Sequence, residues 1–458
     1  MANDTIVALA TAPGESAVAI TRLSGPRALA IAAARFRGRV SPETSPSHRI
    51  LFGSFLAGDG APIDTVLLSV FRDPHSYTGE DVVEISSHGG VAISRAILDA
   101  LVSEGARPAR PGEFTERAYR NGKLDLAQAE SVAALVRARS ERSLRAARSA
   151  LGGSLSRKIA AIDGVLVPLL AEVEARIDFP VDVGEALDGE TLAGRCAEMT
   201  ATLRGWVERL PAARRVQEGV RAALVGRPNV GKSSLLNALV GYDRAIVTET
   251  PGTTRDTVEE SIWIDGVEIR LADTAGLRAP TDRVERFGVE RSERAARECD
   301  VAVLVLDRSS TVGDADREAA ALLEDRPVVV AWNKADLGAG ARERAPVAPS
   351  SLVAEVETIA VREDGAETLR GALKYALPRV LGDHVGEELA STSARQEALL
   401  AEALAAVERA EAGLRANESY DLIAVDLADA RRALGEIVGR GVDQDVVAAI
   451  FSRFCIGK

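Results

Sequence analysis

Residues Val220 to Val225 read as a buried strand that runs into Gly226-Arg227-Pro228-Asn229-Val230-Gly231-Lys232-Ser233 and then a helical stretch, Ser234 to Val240. A strand, a G-x-x-x-x-G-K-S loop and a helix in that order admit few folds. The loop glycines let backbone N–H groups close around an anion at a helix N-terminus, where unpaired donors and the helix dipole favour negative charge. In this arrangement Lys232 reaches the β- and γ-phosphates of a nucleotide, and the Ser233 hydroxyl ligates Mg²⁺.

Further elements follow in the order a GTP-hydrolysing domain requires. Gly252-Thr253-Thr254-Arg255-Asp256 offers a threonine hydroxyl to the magnesium. Ser261 to Leu271 reads as a hairpin turning at Asp265-Gly266 and leading into Asp273-Thr274-Ala275-Gly276. There Asp273 can hold Mg²⁺ through water and the Gly276 N–H can sense the γ-phosphate. After the strand Val328 to Trp332 comes Asn333-Lys334-Ala335-Asp336. The Asp336 carboxylate can accept from N1–H and the exocyclic amine of guanine, whereas adenine leaves it unpaired at a cost of about 1–3 kcal/mol. The nucleotide is therefore GTP rather than ATP, which excludes an ATP-dependent kinase. Leu277 follows Gly276, and an aliphatic side chain cannot orient the attacking water as the glutamine of Ras does. Asn229 is open to two readings: a polar turn residue, or an amide ligand for a monovalent cation placed like an arginine finger.

The rest of the chain separates into blocks. Its 458 residues predict two to four domains, and 46% hydrophobic with 27% charged residues fits a globular protein rather than a disordered one. Residues 1–118 mix short β-branched runs, such as Ile63 to Val70 and Val82 to Ile85, with a helix near Val91 to Glu104. Residues 119–214 have helical periodicity, opened by an Asp125/Gln128 capping box. Residues 215–378 alternate strand and helix, and residues 379–458 return to helices. The expected architecture is multidomain: an α/β domain, and an all-α domain interrupted by an inserted P-loop α/β domain. A formal net charge of −12 argues against non-specific nucleic-acid attraction. Three cysteines, no apolar run long enough to span a bilayer and no basic leader after Met1 predict a cytosolic protein without a membrane span. Positive charge is written mostly as arginine; the six lysines are Lys123, Lys158, Lys232, Lys334, Lys374 and Lys458. The run Arg137, Arg139, Arg142, Arg145 and Arg148 reads as a solvated face of the first long helix.

Outside the nucleotide motifs, the chain carries Ser76-Tyr77-Thr78-Gly79-Glu80-Asp81, His88-Gly89-Gly90, Arg110-Pro111-Gly112-Glu113-Phe114-Thr115-Glu116-Arg117-Ala118 and the tail Phe454-Cys455-Ile456-Gly457-Lys458. With the inserted GTPase motifs, this set resembles the tRNA-modification GTPase family MnmE (TrmE) along the whole chain. The resemblance implies an N-terminal tetrahydrofolate-binding and dimerisation domain, a helical domain built from both sides of the insert, and a G domain. It also implies a homodimer that joins the FAD-dependent partner MnmG in a heterotetramer. That assembly would place an aminomethyl or carboxymethylaminomethyl group on C5 of the wobble uridine of certain tRNAs, using a 5-formyl or methylene tetrahydrofolate.

Carried over by position, the resemblance implies K⁺ ligands Asn229, Thr248, Thr250 and Thr253, with Mg²⁺ on Ser233 and Thr254. Around GTP it groups Asn229, Val230, Gly231, Lys232, Ser233 and Ser234 with Thr248, Glu249, Thr250, Pro251, Gly252, Thr253 and Thr254. Asp273, Thr274, Ala275, Gly276, Asn333, Lys334 and Asp336 complete the set. The catalytic residues would be Glu285, which orients water, with Lys232 and Asn229. Folate would lie on Arg22, Glu84, Lys123 and Lys458. Read residue by residue, Arg22 and Glu84 are structural charges and Cys455 a small buried side chain; the resemblance puts Cys455 near the active region. At Ile359-Ala360-Val361-Arg362 the family's serine is replaced by Ala360, which shifts the expected contact to guanine onto the Val361 backbone. A regulatory GTPase in ribosome assembly or signalling would share every nucleotide motif, but would not need the folate-type set or the tail.

Overall fold

The computed structural model describes residues 4–178, 189–244, 260–272, 294–323, 326–338, 344–362, 364–382 and 391–458. The chain divides into two compact units: Met1–Ala133 with Leu151–Thr200 and Ala398–Lys458, and Ala134–Ala150 with Ala201–Glu397.

In the first unit, β1 (Ile6–Leu9), β2 (Val18–Ser24), β3 (Phe36–Gly38), β4 (Arg49–Leu56), β5 (Pro62–Phe71), β6 (Val82–His88) and β7 (Arg107–Pro108) form a sheet ordered β3-β4-β5-β6-β2-β1-β7. All neighbours are antiparallel except β1 and β7. One face packs against helices Ala28–Arg35 and Val91–Ser103 through Leu23, Ile31, Phe55, Leu68, Ile85, Ile97 and Leu101. The period of two then sends the intervening residues to the other face. Register aligns Ala8 with Arg22, Arg22 with Glu84 and Glu84 with Ser69 there, and beside them Ser86 with Leu67 and Leu67 with Phe52.

Part of that second face is covered by helix Glu113–Arg120, whose Phe114 is buried with Ile6, Ala8 and Ala109. The string Arg110 to Ala118 is explained by ion pairing. Glu113, 3% exposed, meets Arg107 at 2.5 Å and Arg117 at 3.3 Å, and Arg117 also pairs with Asp4 and Glu80 at 2.7 and 3.2 Å. Burial alone would raise the Glu113 carboxyl, but the hydrogen bonds from Arg107 and from the Arg110 N–H outweigh it and hold the group below the usual carboxylate range.

The helical part of this unit pairs Ser154–Asp178 with Tyr420–Val438. Leu155, Ile159, Ile162, Leu166, Leu169 and Val173 recur at three- and four-residue steps and form the buried stripe of the first helix. The Asp125/Gln128 capping box is present, each backbone N–H donating to the other's side chain at 3.0 and 2.9 Å.

The second unit contains β8 (Val220–Val225), β9 (Glu260–Ile264), β10 (Val267–Ala272), β11 (Val301–Asp307), β12 (Val328–Asn333) and β13 (Leu352–Glu357), ordered β13-β12-β11-β8-β10-β9. All pairs are parallel except β9 with β10, which join through Asp265 and Gly266 at φ 50° and 69°. Parallel strands covered on both sides read as unbroken apolar runs, as Val301–Leu306 and Val328–Ala331 do. The loops after β8, β11, β12 and β13 leave the carboxyl end of the sheet, where ligands bind in open α/β folds.

The arginine run differs from the expectation. It does not lie on one helix: Leu126–Arg137 ends at Arg137, Arg139 lies in the break, and Arg142, Arg145 and Arg148 are exposed on Glu141–Leu151. The break has a physical cause. The Ser140 hydroxyl accepts from the Ser143 N–H at 3.0 Å and starts a new helix. Among the described residues, no helix is long and apolar enough to cross a membrane.

Candidate functional site

The loop after β8 has the shape an anion site needs. Gly226, Asn229 and Gly231 take φ of 155°, 63° and 102°. A Cβ on Gly231 would lie 2.1 Å from the Asn333 amide nitrogen, and one on Gly226 would lie 2.4 Å from the Val305 carbonyl oxygen, so both positions require glycine. Val230 is buried beneath the loop, Asn229 is exposed, and Lys232 begins helix Lys232–Arg244. The Lys232 ammonium donates to the carbonyls of Gly226 and Arg227 at 2.7 and 2.9 Å. Partial burial, with no carboxylate partner among the described residues, pushes it below the usual lysine range. The cation thus sits on neutral oxygens that an arriving phosphate can replace. Ser233 is half-buried and Ser234 exposed in the first helical turn.

Asn333 ties this loop to the base-reading end. Its Nδ2 donates to the Val230 carbonyl at 2.8 Å, while its Oδ1 accepts from the Thr358 hydroxyl at 3.2 Å and the Ala360 N–H at 3.1 Å. The backbone at the expected guanine-facing loop is therefore partly committed to Asn333; Val361 is 84% exposed. Lys334, at φ 61°, donates to Asp307 at 2.7 Å. Burial would raise the Asp307 carboxyl, but hydrogen bonds from Lys334 and Ser309 outweigh it and keep the group below the carboxylate range. Asp336 is exposed on the short turn Ala335–Leu337.

Thr248, Glu249, Thr250, Pro251, Gly252, Thr253, Thr254, Asp273, Thr274, Ala275, Gly276, Leu277 and Glu285 lie outside the described residues.

In the first unit, Arg22 and Glu84 are brought together. Arg22 Nε and Nη2 both reach Glu84 Oε1 at 2.8 Å, and Nη1 donates to the Gly457 carbonyl at 3.2 Å. The guanidinium also lies 5.7 and 5.6 Å from the ring centroids of Tyr77 and Phe114. Burial raises the Tyr77 phenol, whose oxygen is 2.9 Å from the Thr115 hydroxyl. The tail is built into this corner. Gly112 and Phe114 N–H groups donate to Cys455 and Lys458 carbonyls at 3.3 and 3.2 Å, and a Cβ on Gly457 would lie 2.4 Å from the Leu9 carbonyl oxygen. Lys123 donates to the Pro74 carbonyl at 3.0 Å, on the loop that carries Tyr77. The residue-level expectation for Cys455 is corrected. Its side chain is exposed, because the tail lies on the surface and uses its backbone to hold helix Glu113–Arg120. Cys196 and Cys299 are buried, which pushes their thiols up to about 12 and about 11.

Comparison with known proteins bears on both corners. The family description "GTP-binding protein TrmE N-terminus" matches residues 5–123 and "MnmE helical domain" matches residues 126–455. The tRNA modification GTPase MnmE of Moorella thermoacetica is 44% identical over 472 residues, covering 100% of each chain. This chain belongs to the MnmE family. Its relatives of the same name from Chloroflexus aurantiacus and Synechococcus sp. (strain JA-3-3Ab) are 43% and 42% identical, with at least 98% of each chain covered. The match to the MnmE N-terminus spans Arg22, Tyr77, Glu84, Phe114 and Lys123. Sequence reasoning missed Tyr77, Phe114 and the Gly457 carbonyl as neighbours of Arg22, although the strings holding them carried the family resemblance. It also missed Arg227 and Asp307, which no spacing rule links.

Proposed function

We propose that this MnmE-family chain hydrolyses GTP to GDP and phosphate in the loop 226–233 and uses that cycle in tRNA wobble-uridine modification. Its place as a GTPase of tRNA modification follows from full-length family membership. The observation that carries the site assignment is Lys232: a half-buried ammonium on two backbone carbonyls, in a loop held open by glycines. Asp336 reads guanine. Oxygen donors suit both cations. Ser233 with Thr254 would hold Mg²⁺, and the Asn229 amide oxygen with Thr248, Thr250 and Thr253 would hold K⁺. When bound, the two ions supply positive charge to the phosphates. Glu285 orients the attacking water in place of the glutamine that Leu277 replaces.

The second half of the proposal is the folate corner. Arg22, Glu84, Lys123 and Lys458 bind a tetrahydrofolate one-carbon donor, and the FAD-dependent partner MnmG joins a homodimer of this chain to act on the tRNA in the cytoplasm. Ile50, Phe52 and Leu67 support the dimer: they are exposed together on the second sheet face, with Phe52 at 70%. GTP turnover in matched KCl and NaCl at equal ionic strength tests the nucleotide half. Strong activation by potassium alone is expected. Slow turnover indifferent to the cation would remove the Asn229 site and favour a regulatory switch.

A further inference from the structure

Arg227 follows the first glycine of the phosphate loop, and nothing in the sequence motif asks for an arginine there. Its guanidinium turns away from the helix start and into the loop after β11. Nη2 donates to the Ser310 hydroxyl at 2.5 Å, Nε faces Asp316 Oδ1 at 3.3 Å, and Nη2 lies 3.9 Å from Asp307 Oδ2. Asp316 is 4% exposed, and its other oxygen accepts the Gly313 N–H at 3.0 Å at the start of helix Asp314–Ala321. Among the described residues, Arg227 Nε and Asp316 Oδ1 are both buried and have no aligned hydrogen-bond partner. They form an ion contact that a small shift turns into a hydrogen bond.

The consequence reaches Lys232. The backbone carbonyl of Arg227 is one of the two oxygens on which the Lys232 ammonium rests. The carboxylate of Asp307 that Arg227 approaches also takes the Lys334 ammonium at 2.7 Å. Asn333 anchors the loop at Val230. Arg227 anchors the opposite side, and Asp307 joins that anchor to the base-reading residues.

We propose that Arg227 is a positioning residue of the nucleotide site: clasped by Asp316 and Ser310, it fixes the loop backbone under Lys232 and links it through Asp307 to Lys334. This rests on the phosphate-loop reading. A guanidinium spans these three acceptors with a rigid fork, which a lysine ammonium cannot do. A clasp that holds the site before nucleotide arrives lowers the ordering cost of binding, so its loss raises KM more than it lowers kcat.

The test uses the full chain with a fluorescent GDP and steady-state GTP turnover. Arg227→Ala is expected to speed GDP release and raise KM for GTP by about tenfold, with kcat changed by less than about threefold. Arg227→Lys should recover part of that loss. Asp316→Asn keeps an oxygen for the Gly313 N–H, and should shift release in the same direction by a smaller factor. The Arg227→Ala/Asp316→Asn double variant should be no worse than Arg227→Ala, because both changes break one contact. Wild-type release in Arg227→Ala, additive losses in the double variant, or a lowered melting temperature with unchanged release would each overturn the clasp. Lys232→Ala, run beside them, separates the two readings: nucleotide binding retained in that variant would sink the phosphate-loop assignment itself.

Discussion

The nucleotide loop and the Arg22 corner hold their cations in opposite ways. Lys232 rests on two neutral carbonyl oxygens, whereas Arg22 is matched to Glu84 and sits near two aromatic rings. The first arrangement leaves a positive charge to be satisfied by whatever enters, and so suits a polyphosphate. The second presents a neutral pair, one donor fork and one acceptor, and suits a flat heterocycle with its own donors and acceptors. One chain thus offers an anion site and a corner whose Arg22–Glu84 pair is already neutral, and the difference lies in the partner each cation already has.

The comparison can be broken in several places. The largest expected effect is at Asp336. Asp336→Asn should lower GTP affinity by about a thousandfold and raise affinity for the xanthine nucleotide, since the amide donates to the 2-oxo group where the carboxylate accepted from the amine. Competition binding with both nucleotides reads this, and unchanged guanine preference would remove Asp336 from the base site. Next is Glu285. Glu285→Ala should bind GTP normally and hydrolyse it about a hundredfold more slowly; equal single-turnover rates would show that another group orients the water.

The Arg22 corner depends on the ion cluster beneath it. Glu113→Gln leaves the buried Arg117 and the partly exposed Arg107 undercompensated and should cost the first unit about 1–3 kcal/mol in denaturant unfolding. The sign with pH is fixed by the lowered Glu113 carboxyl. Its contribution is fully present above the ordinary value of 4.5 and lost as pH falls through the folded value. Glu113→Gln should therefore flatten the acid limb of the stability curve. An unchanged limb would assign acid lability elsewhere.

The smallest effect sharpens the contrast most. Lys232 is held below the usual lysine range by burial, so part of its ammonium is deprotonated at a pH where an exposed lysine is still charged. Phosphate binding restores the charge. Titration of the wild-type chain with GDP between pH 7 and about 8.5, below the ionisation of the guanine ring and in buffers of different ionisation enthalpy, should show fractional proton uptake that grows with pH. Proton release would mean that the ammonium is not the group meeting the phosphate.

What could be read from the sequence follows the same division. The loop 226–233 is contiguous, and its glycines are forced by close approaches such as that of Gly231 to Asn333, so spacing alone exposes it. The hairpin at Asp265-Gly266 and the capping box at Asp125 are local in the same sense. The Arg22 corner is assembled from β2, β6, helix Glu113–Arg120 and the tail, with partners 62 and 435 residues apart. Only strand register brings these together, and a single sequence does not state register. The arginine run was misplaced for a related reason. Its helix breaks where Ser140 caps a new start, and a serine among arginines is a weak signal. Cys455 is exposed because the tail binds through its backbone, which side-chain identity does not reveal.

The most direct measurement is calorimetric titration of the full chain and two variants, Lys232→Ala and Glu84→Gln, each with GTP and with 5-formyltetrahydrofolate. The account predicts that Lys232→Ala loses GTP and keeps the folate, while Glu84→Gln loses most of its folate affinity and keeps GTP. Folate binding that falls with Lys232→Ala, or survives Glu84→Gln unchanged, would contradict the division of the chain into a nucleotide site at Lys232 and a separate folate site at Arg22 and Glu84.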